Sequence, residues 1–388
     1  MTPVFIVAQY KCGTSWLLSA LSAHPDILGM REIDIVRAAH ARDSQIEAAS
    51  KAQTSADNPP TATTPVAGGD GMQLPTAQRP LSAAPVRMFF ENSIVPEVDF
   101  KTKIFPSSKL MMNRVNPDRL TLFFGKSAWS PSAETPGHLD AGQHPTAVAV
   151  EQREFSRPQS IRDLSQAEAT GLYSRILAAE HPHQAMDAFL ETVSARESGA
   201  SYVVLKAAHQ ISVLDALQEW RPGAKKIAIT RDVRDAAISA LHYKKLMKER
   251  NATWLQGSEK SYWDLLRDFS VQTRRVIDAA RAGDVLLIRY EDLSRDFSGT
   301  FSRVLDFIGV DRRPDIVRAI NDATSFKSRT GREPGSEGKG LIRRGMVNEW
   351  EEYLTVDDRE RAWALCQSVL APLGYTENGA LKPIAFLS

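Results

Sequence analysis

Tyr10-Lys11-Cys12-Gly13-Thr14-Ser15-Trp16 gathers an ammonium, two aliphatic hydroxyls and a glycine into one short stretch. A small-residue turn that leads into a helix points several backbone N–H groups at one spot, where the helix end adds partial positive charge. The Thr14 and Ser15 hydroxyls and the Lys11 ammonium complete a cradle for an anion. The order is not G-x-x-x-x-G-K-[ST], because here the lysine precedes the glycine. The plainer reading of the stretch alone is a strand–helix turn with a chance lysine.

A second stretch, Arg231-Asp232-Val233-Arg234-Asp235-Ala236-Ala237-Ile238-Ser239, can also hold a phosphate. The planar fork of an arginine bonds two phosphate oxygens at once, and Ser239 stands two helical turns further on. The plainer reading is a salt-bridged helix start with Asp232 and Asp235 as its acidic residues. Two cradles together suit a nucleotide with phosphates at both its 5′ and 3′ positions.

The elements that must position these residues are legible in the apolar pattern. Val4-Phe5-Ile6-Val7-Ala8, Tyr202-Val203-Val204-Leu205, Lys226-Ile227-Ala228-Ile229-Thr230 and Val285-Leu286-Leu287-Ile288 read as strands buried on both faces. Helical spacing runs through Ile211 to Trp220, Asp235 to Leu246 and Tyr262 to Ala282. Alternating strands and helices imply an α/β fold, a doubly wound, mainly parallel sheet flanked by helices. Open sheets of this kind bind ligands beyond the carboxyl ends of their strands, where both stretches fall.

We expect one domain over residues 1–388, with a long insertion at 41–158. Ala, Ser, Thr and Pro dominate residues 49–85, which bury too little surface to order themselves. Lys+Arg 48 against Asp+Glu 47 leaves a net charge of +1, which gives no reason to expect nucleic acid or a membrane surface as partner. The start of the chain lacks the pattern of a signal peptide, and Cys12 and Cys366 cannot make a disulfide framework, so a cytoplasmic setting is expected. Cys366 reads as a small core residue. His181-Pro182-His183 reads as a loop, and no metal is expected.

Lys11-Cys12-Gly13-Thr14-Ser15-Trp16 resembles the 5′-phosphosulfate loop of sulfotransferases that use 3′-phosphoadenosine 5′-phosphosulfate (PAPS), closest in motif order to the cytosolic branch. Arg231 and Ser239 match that family's 3′-phosphate pair. Tyr290-Glu291-Asp292-Leu293 and Thr324-Ser325-Phe326 resemble its adenine-side segments. Arg343-Arg344-Gly345 followed by Trp350 resembles its closing loop over the 3′-phosphate. Cys12 stands where the family commonly has serine, Arg344 where it has lysine, and Asn348-Glu349-Trp350 where it often has Gly-Asp-Trp.

The resemblance implies a P-loop-like sulfotransferase fold and in-line sulfuryl transfer to a hydroxyl or amine of a small acceptor. Lys11 would stabilise the leaving group, and Trp16 and Phe326 would enclose the adenine. His209, near the end of one strand, and Glu32, after the first helix, compete for the role of general base. Lys126 and Lys206 are further candidates near the sulfuryl group. A nucleotide kinase and a catalytically silent nucleotide-binding scaffold are the alternatives. Beside Lys11 and a helix N-terminus, the Cys12 thiol is expected to have a lowered pKa and to alkylate readily.

Overall fold

A computed structural model describes residues 1–30, 182–196, 199–206, 214–249, 260–338 and 342–384, with a few single positions besides. The 41–158 insertion lies outside the described residues. The expected strands form as β1 (Thr2–Val7), β3 (Tyr202–Lys206), β4 (Lys225–Thr230) and β5 (Leu286–Arg289). A strand that the apolar pattern did not single out, β2 (Ile27–Met30), joins them. It has four residues, and Gly29 breaks its apolar run. The Ser22 hydroxyl fills the space a Cβ there would need.

Every pairing is parallel, in the order β2-β3-β1-β4-β5. The chain leaves β1 toward one edge and, after returning through β3, continues from β4 toward the other. The crevice between the ends of β1 and β4 is therefore the point at which the winding reverses. An open α/β sheet presents its ligand site there.

Alternate residues of β1 face opposite layers. Phe5 and Val7 enter one core with helices α2 (Pro182–Arg196), α3 (Leu214–Trp220), α4 (Val233–Glu249) and α5 (Tyr262–Arg281). Val4 and Ile6 enter the other, with α1 (Thr14–Ser22), α6 (Tyr290–Arg295), α7 (Phe297–Ile308) and α8 (Pro314–Thr324). Both faces are covered, which is why these strands read as unbroken apolar runs. A short α9 (Phe326–Thr330) follows α8. Beyond a long loop, α10 (Trp350–Tyr353) and α11 (Val356–Leu370) pack back on the first layer.

Candidate functional site

Past β1 the chain turns sharply through two left-handed residues, Lys11 (φ +70°) and Gly13 (φ +90°). Glycine is required at the second, because a Cβ there would stand 2.6 Å from Tyr290 Cδ2. Helix α1 then starts with no side-chain cap and no acidic residue in its first turn. The positive dipole end of the helix is left for an anion. Lys206 ends β3, and its Nζ donates to Ser15 Oγ at 3.1 Å. Lys11 is half-buried. Burial first, then the positive charges of Arg231, Lys206 and Arg343, lower its pKa to about 8. At neutral pH it is still mostly an ammonium.

Arg231 is the first residue after β4 and is buried. Its Nη2 donates to the Met346 carbonyl at 2.7 Å and lies 3.3 Å from Asp235 Oδ2. Its Nε is buried without a hydrogen-bond partner. Tyr290 joins the two cradles. Its ring packs on Gly13, meets Trp16 edge-on at 5.9 Å and lies 4.6 Å from the Arg231 guanidinium. Ser239 is half-buried two turns along α4.

Asp235 Oδ1 accepts from the Trp350 amide at 2.9 Å, which ties the closing loop to α4. Burial raises this carboxyl to about 6, against the pull of Arg231. Arg343 pairs with Glu349, with Glu337 (3.1 Å) and with the Tyr353 hydroxyl (3.2 Å). Arg344 shares Glu349 (3.2 Å) and pairs with Glu352. Gly345 has φ +65°, and a Cβ there would run into the Phe326 ring. Thr324 directs its hydroxyl to its own helix, at Ile320 O (2.7 Å).

The structure thus brings Lys11, Lys206, Arg231 and Arg343 together, sets Trp16 and Tyr290 between the loops, and packs Gly345 on Phe326. His209, Glu32 and Lys126 lie outside the described residues. The salt-bridged reading of the second stretch also holds for part of it. Arg234 is fully buried, grips Asp232 at 2.7 Å, donates to the Glu377 and Thr376 carbonyls, and stacks 3.8 Å from the Trp350 ring centroid.

The expected reactivity of Cys12 is overturned. Its side chain is wholly buried, and burial raises the thiol's pKa far above its ordinary value. The helix end and the nearby Arg231 do not offset that desolvation. Cys366 is a core residue, with Sγ 2.9 Å from Ala362 O. Among the described residues no cluster of His, Cys, Asp and Glu could hold a metal ion, and no helix is long and apolar enough to cross a membrane.

Two residues of the site, Tyr243 and Arg332, were missed from sequence, and Glu349 was noted only as a departure from the family's pattern. Tyr243 stands four residues after Ser239, on the same helix face, so the i, i+4 spacing could have found it. Glu349 follows the closing loop that it braces. Arg332 donates to the carbonyls of Ser336 (2.6 Å), Arg343 (2.7 Å) and Ile342 (2.8 Å), pegging that loop in place. Nothing in its sequence context sets it apart from a surface arginine.

A family model of the sulfotransferase domain matches residues 179–374, half of the chain. The chain belongs to the sulfotransferase family. The match takes in Arg231, Ser239, Tyr290, Phe326 and Arg343, and the Lys11 loop, which lies before it, joins them in space. Cytosolic sulfotransferase 15 of Arabidopsis thaliana is 24% identical over 181 residues, 40% of this chain and 49% of the relative. A 3-alpha-hydroxysteroid sulfotransferase of Cavia porcellus is 24% identical over 165 residues, 38% of this chain and 56% of the relative. The chain spans about half the length of these curated relatives. Among solved structures, sulfotransferase STF9 from Mycobacterium avium aligns at 12% identity and a TM-score of 0.44, over 98% of this chain and 78% of that one.

Proposed function

We propose that this sulfotransferase moves a sulfuryl group from PAPS to a hydroxyl of a small acceptor. The observation that carries the reading is the meeting of Lys11, Lys206, Arg231 and Arg343 in the crevice between β1 and β4, beside the uncapped start of α1. A buried guanidinium nitrogen without a hydrogen-bond partner, Arg231 Nε, fits a site made to take an anion. The nucleotide, when bound, supplies the sulfuryl group and a bisphosphate that leaves.

In this reading the α1 amides with Thr14 and Ser15 hold the 5′ side, and Lys11 and Lys206 neutralise it. Arg231, Ser239, Arg343 and Arg344 hold the 3′-phosphate, and Trp16, Tyr290 and Phe326 bound the adenine. Lys11 keeps its proton at neutral pH and meets charge that grows only as the bond to sulfur breaks. Help of that kind favours the transition state over the ground state. His209 and Glu32 both remain candidates for the base that takes the acceptor's proton. The cytosolic and hydroxysteroid names of the relatives support a cytosolic setting and a small acceptor.

The test is turnover of sulfur-labelled PAPS against a panel of phenols and hydroxysteroids. Label should move to at least one acceptor with the wild type. Lys11→Ala should cut the rate by roughly 100-fold or more, as expected when a group that stabilises transition-state charge is lost. Transfer that survives Lys11→Ala would overturn this assignment.

A further inference from the structure

Lys11 carries its side chain on a left-handed backbone, a conformation that favours glycine. Among the described residues, the charged groups that act on its ammonium are Lys206 at the end of β3, Arg231 after β4 and Arg343 on the closing loop, and all three are cations. None of these three holds an ammonium in place. Its Nζ lies 4.7 Å from the centroid of the Tyr243 ring and 5.5 Å from that of Tyr10. The two rings meet edge to face, with centroids 5.4 Å apart and planes at 76°. That contact fixes the Tyr243 ring against a residue of the Lys11 loop itself.

The face of an aromatic ring carries partial negative charge and attracts an ammonium, more so where water is scarce. Helix α4 brings Tyr243 to the site on the face that also bears Ser239, with Asp235 one turn earlier. We propose that Tyr243, braced by Tyr10, is a positioning residue for Lys11, its ring holding the ammonium beside the anion cradle before any phosphate arrives. The holding force comes from the ring and not from the phenol hydroxyl. Phenylalanine should replace Tyr243 without loss, whereas an aliphatic side chain should not.

Taking the ring away removes an attraction for the protonated form only, so the proton leaves Lys11 at lower pH. The inference rests on the sulfuryl-transfer reading for what Lys11 does later, but not for how it is held. It can therefore be read in the nucleotide-free protein by NMR of isotope-labelled lysine, with the Lys11 signal identified by its loss in Lys11→Arg. The wild type should titrate near 8. Tyr243→Phe should keep that midpoint, and Tyr243→Leu should lower it by roughly half a pH unit or more. Tyr243→Met, which fills similar space without a ring, should match Tyr243→Leu and stands in if the leucine variant folds poorly. An unchanged midpoint in the aliphatic variants, or an equal fall in Tyr243→Phe, overturns the proposal. A merely structural Tyr243 would change stability and leave the midpoint where it was. Failure of the nucleotide to bind would count against the sulfuryl-transfer reading and leave this titration intact.

Discussion

Arg231 Nη2 donates to the backbone carbonyl of Met346 at 2.7 Å, so the residue that follows β4 also holds the loop that carries Arg343 and Arg344. Asp235 strengthens the tie, with one carboxylate oxygen near Arg231 (3.3 Å) and the other on the Trp350 amide (2.9 Å). The second phosphate stretch and the closing loop are one structural unit, joined across the chain by a buried ion pair.

Asp235→Ala should therefore do more than trim a helix start. It leaves Arg231 buried without its carboxylate and frees the Trp350 amide, and breaking a buried pair in this way costs about 3–5 kcal/mol. Chemical denaturation would measure the loss. Binding of 3′-phosphoadenosine 5′-phosphate should weaken in parallel. A variant as stable as the wild type would show that the pair contributes little.

Glu291 gives a pH dependence with a definite sign. It is buried, accepts from the Tyr375 hydroxyl (2.6 Å) and the Asp232 amide (3.0 Å), and burial raises its pKa to about 7 from an ordinary 4.5. The folded protein thus holds a proton that the unfolded chain gives up. The stability this confers is full below 4.5 and is lost as pH rises through 7. Its size is on the order of 3 kcal/mol. Denaturation midpoints of wild type and Glu291→Gln, compared across that range, should show the slope in the first and a flatter profile in the second.

Gly13→Ala tests the turn. The new Cβ meets the Tyr290 ring at 2.6 Å on a backbone with φ +90°. The left-handed conformation alone costs roughly 1–2 kcal/mol for a residue with a Cβ. Relief requires moving Tyr290, which also packs on Trp16 and Arg231, so nucleotide affinity should fall at least about tenfold with the loss of that geometry. Calorimetry would detect it.

Both cysteines should resist iodoacetamide at mildly alkaline pH while the protein is folded and react promptly once it is denatured. Cys12 and Cys366 are buried, and burial raises both thiols above their ordinary range. Rapid labelling of folded Cys12 would mean that the loop opens far more than its packing implies.

The sheet and the placing of Lys11 and Arg231 were legible because strands buried on both faces announce themselves as apolar runs, and the site lies just past their ends. Ile27–Met30 escaped because a four-residue run broken by glycine has no period to read. Cys12 was misjudged because the sequence displays its charged neighbours but not its burial, and burial dominates. Tyr243 belongs to a stripe spaced by four residues from Arg231 through Asp235 and Ser239, which shows only once the helix is drawn from the end of β4. Arg332 acts through backbone carbonyls that no side-chain pattern reveals.

Lys11 and Arg231, at the ends of β1 and β4, are proposed to form one site for a nucleotide with two phosphates. Calorimetric titration of 3′-phosphoadenosine 5′-phosphate into wild type, Lys11→Ala and Arg231→Ala tests it most directly. Clear binding to the wild type is expected, with a loss of about ten- to a hundred-fold in each variant, the worth of a charged hydrogen bond to phosphate. Absence of binding to the wild type, or variants that bind as well as it does, would show that the two residues do not share a nucleotide site.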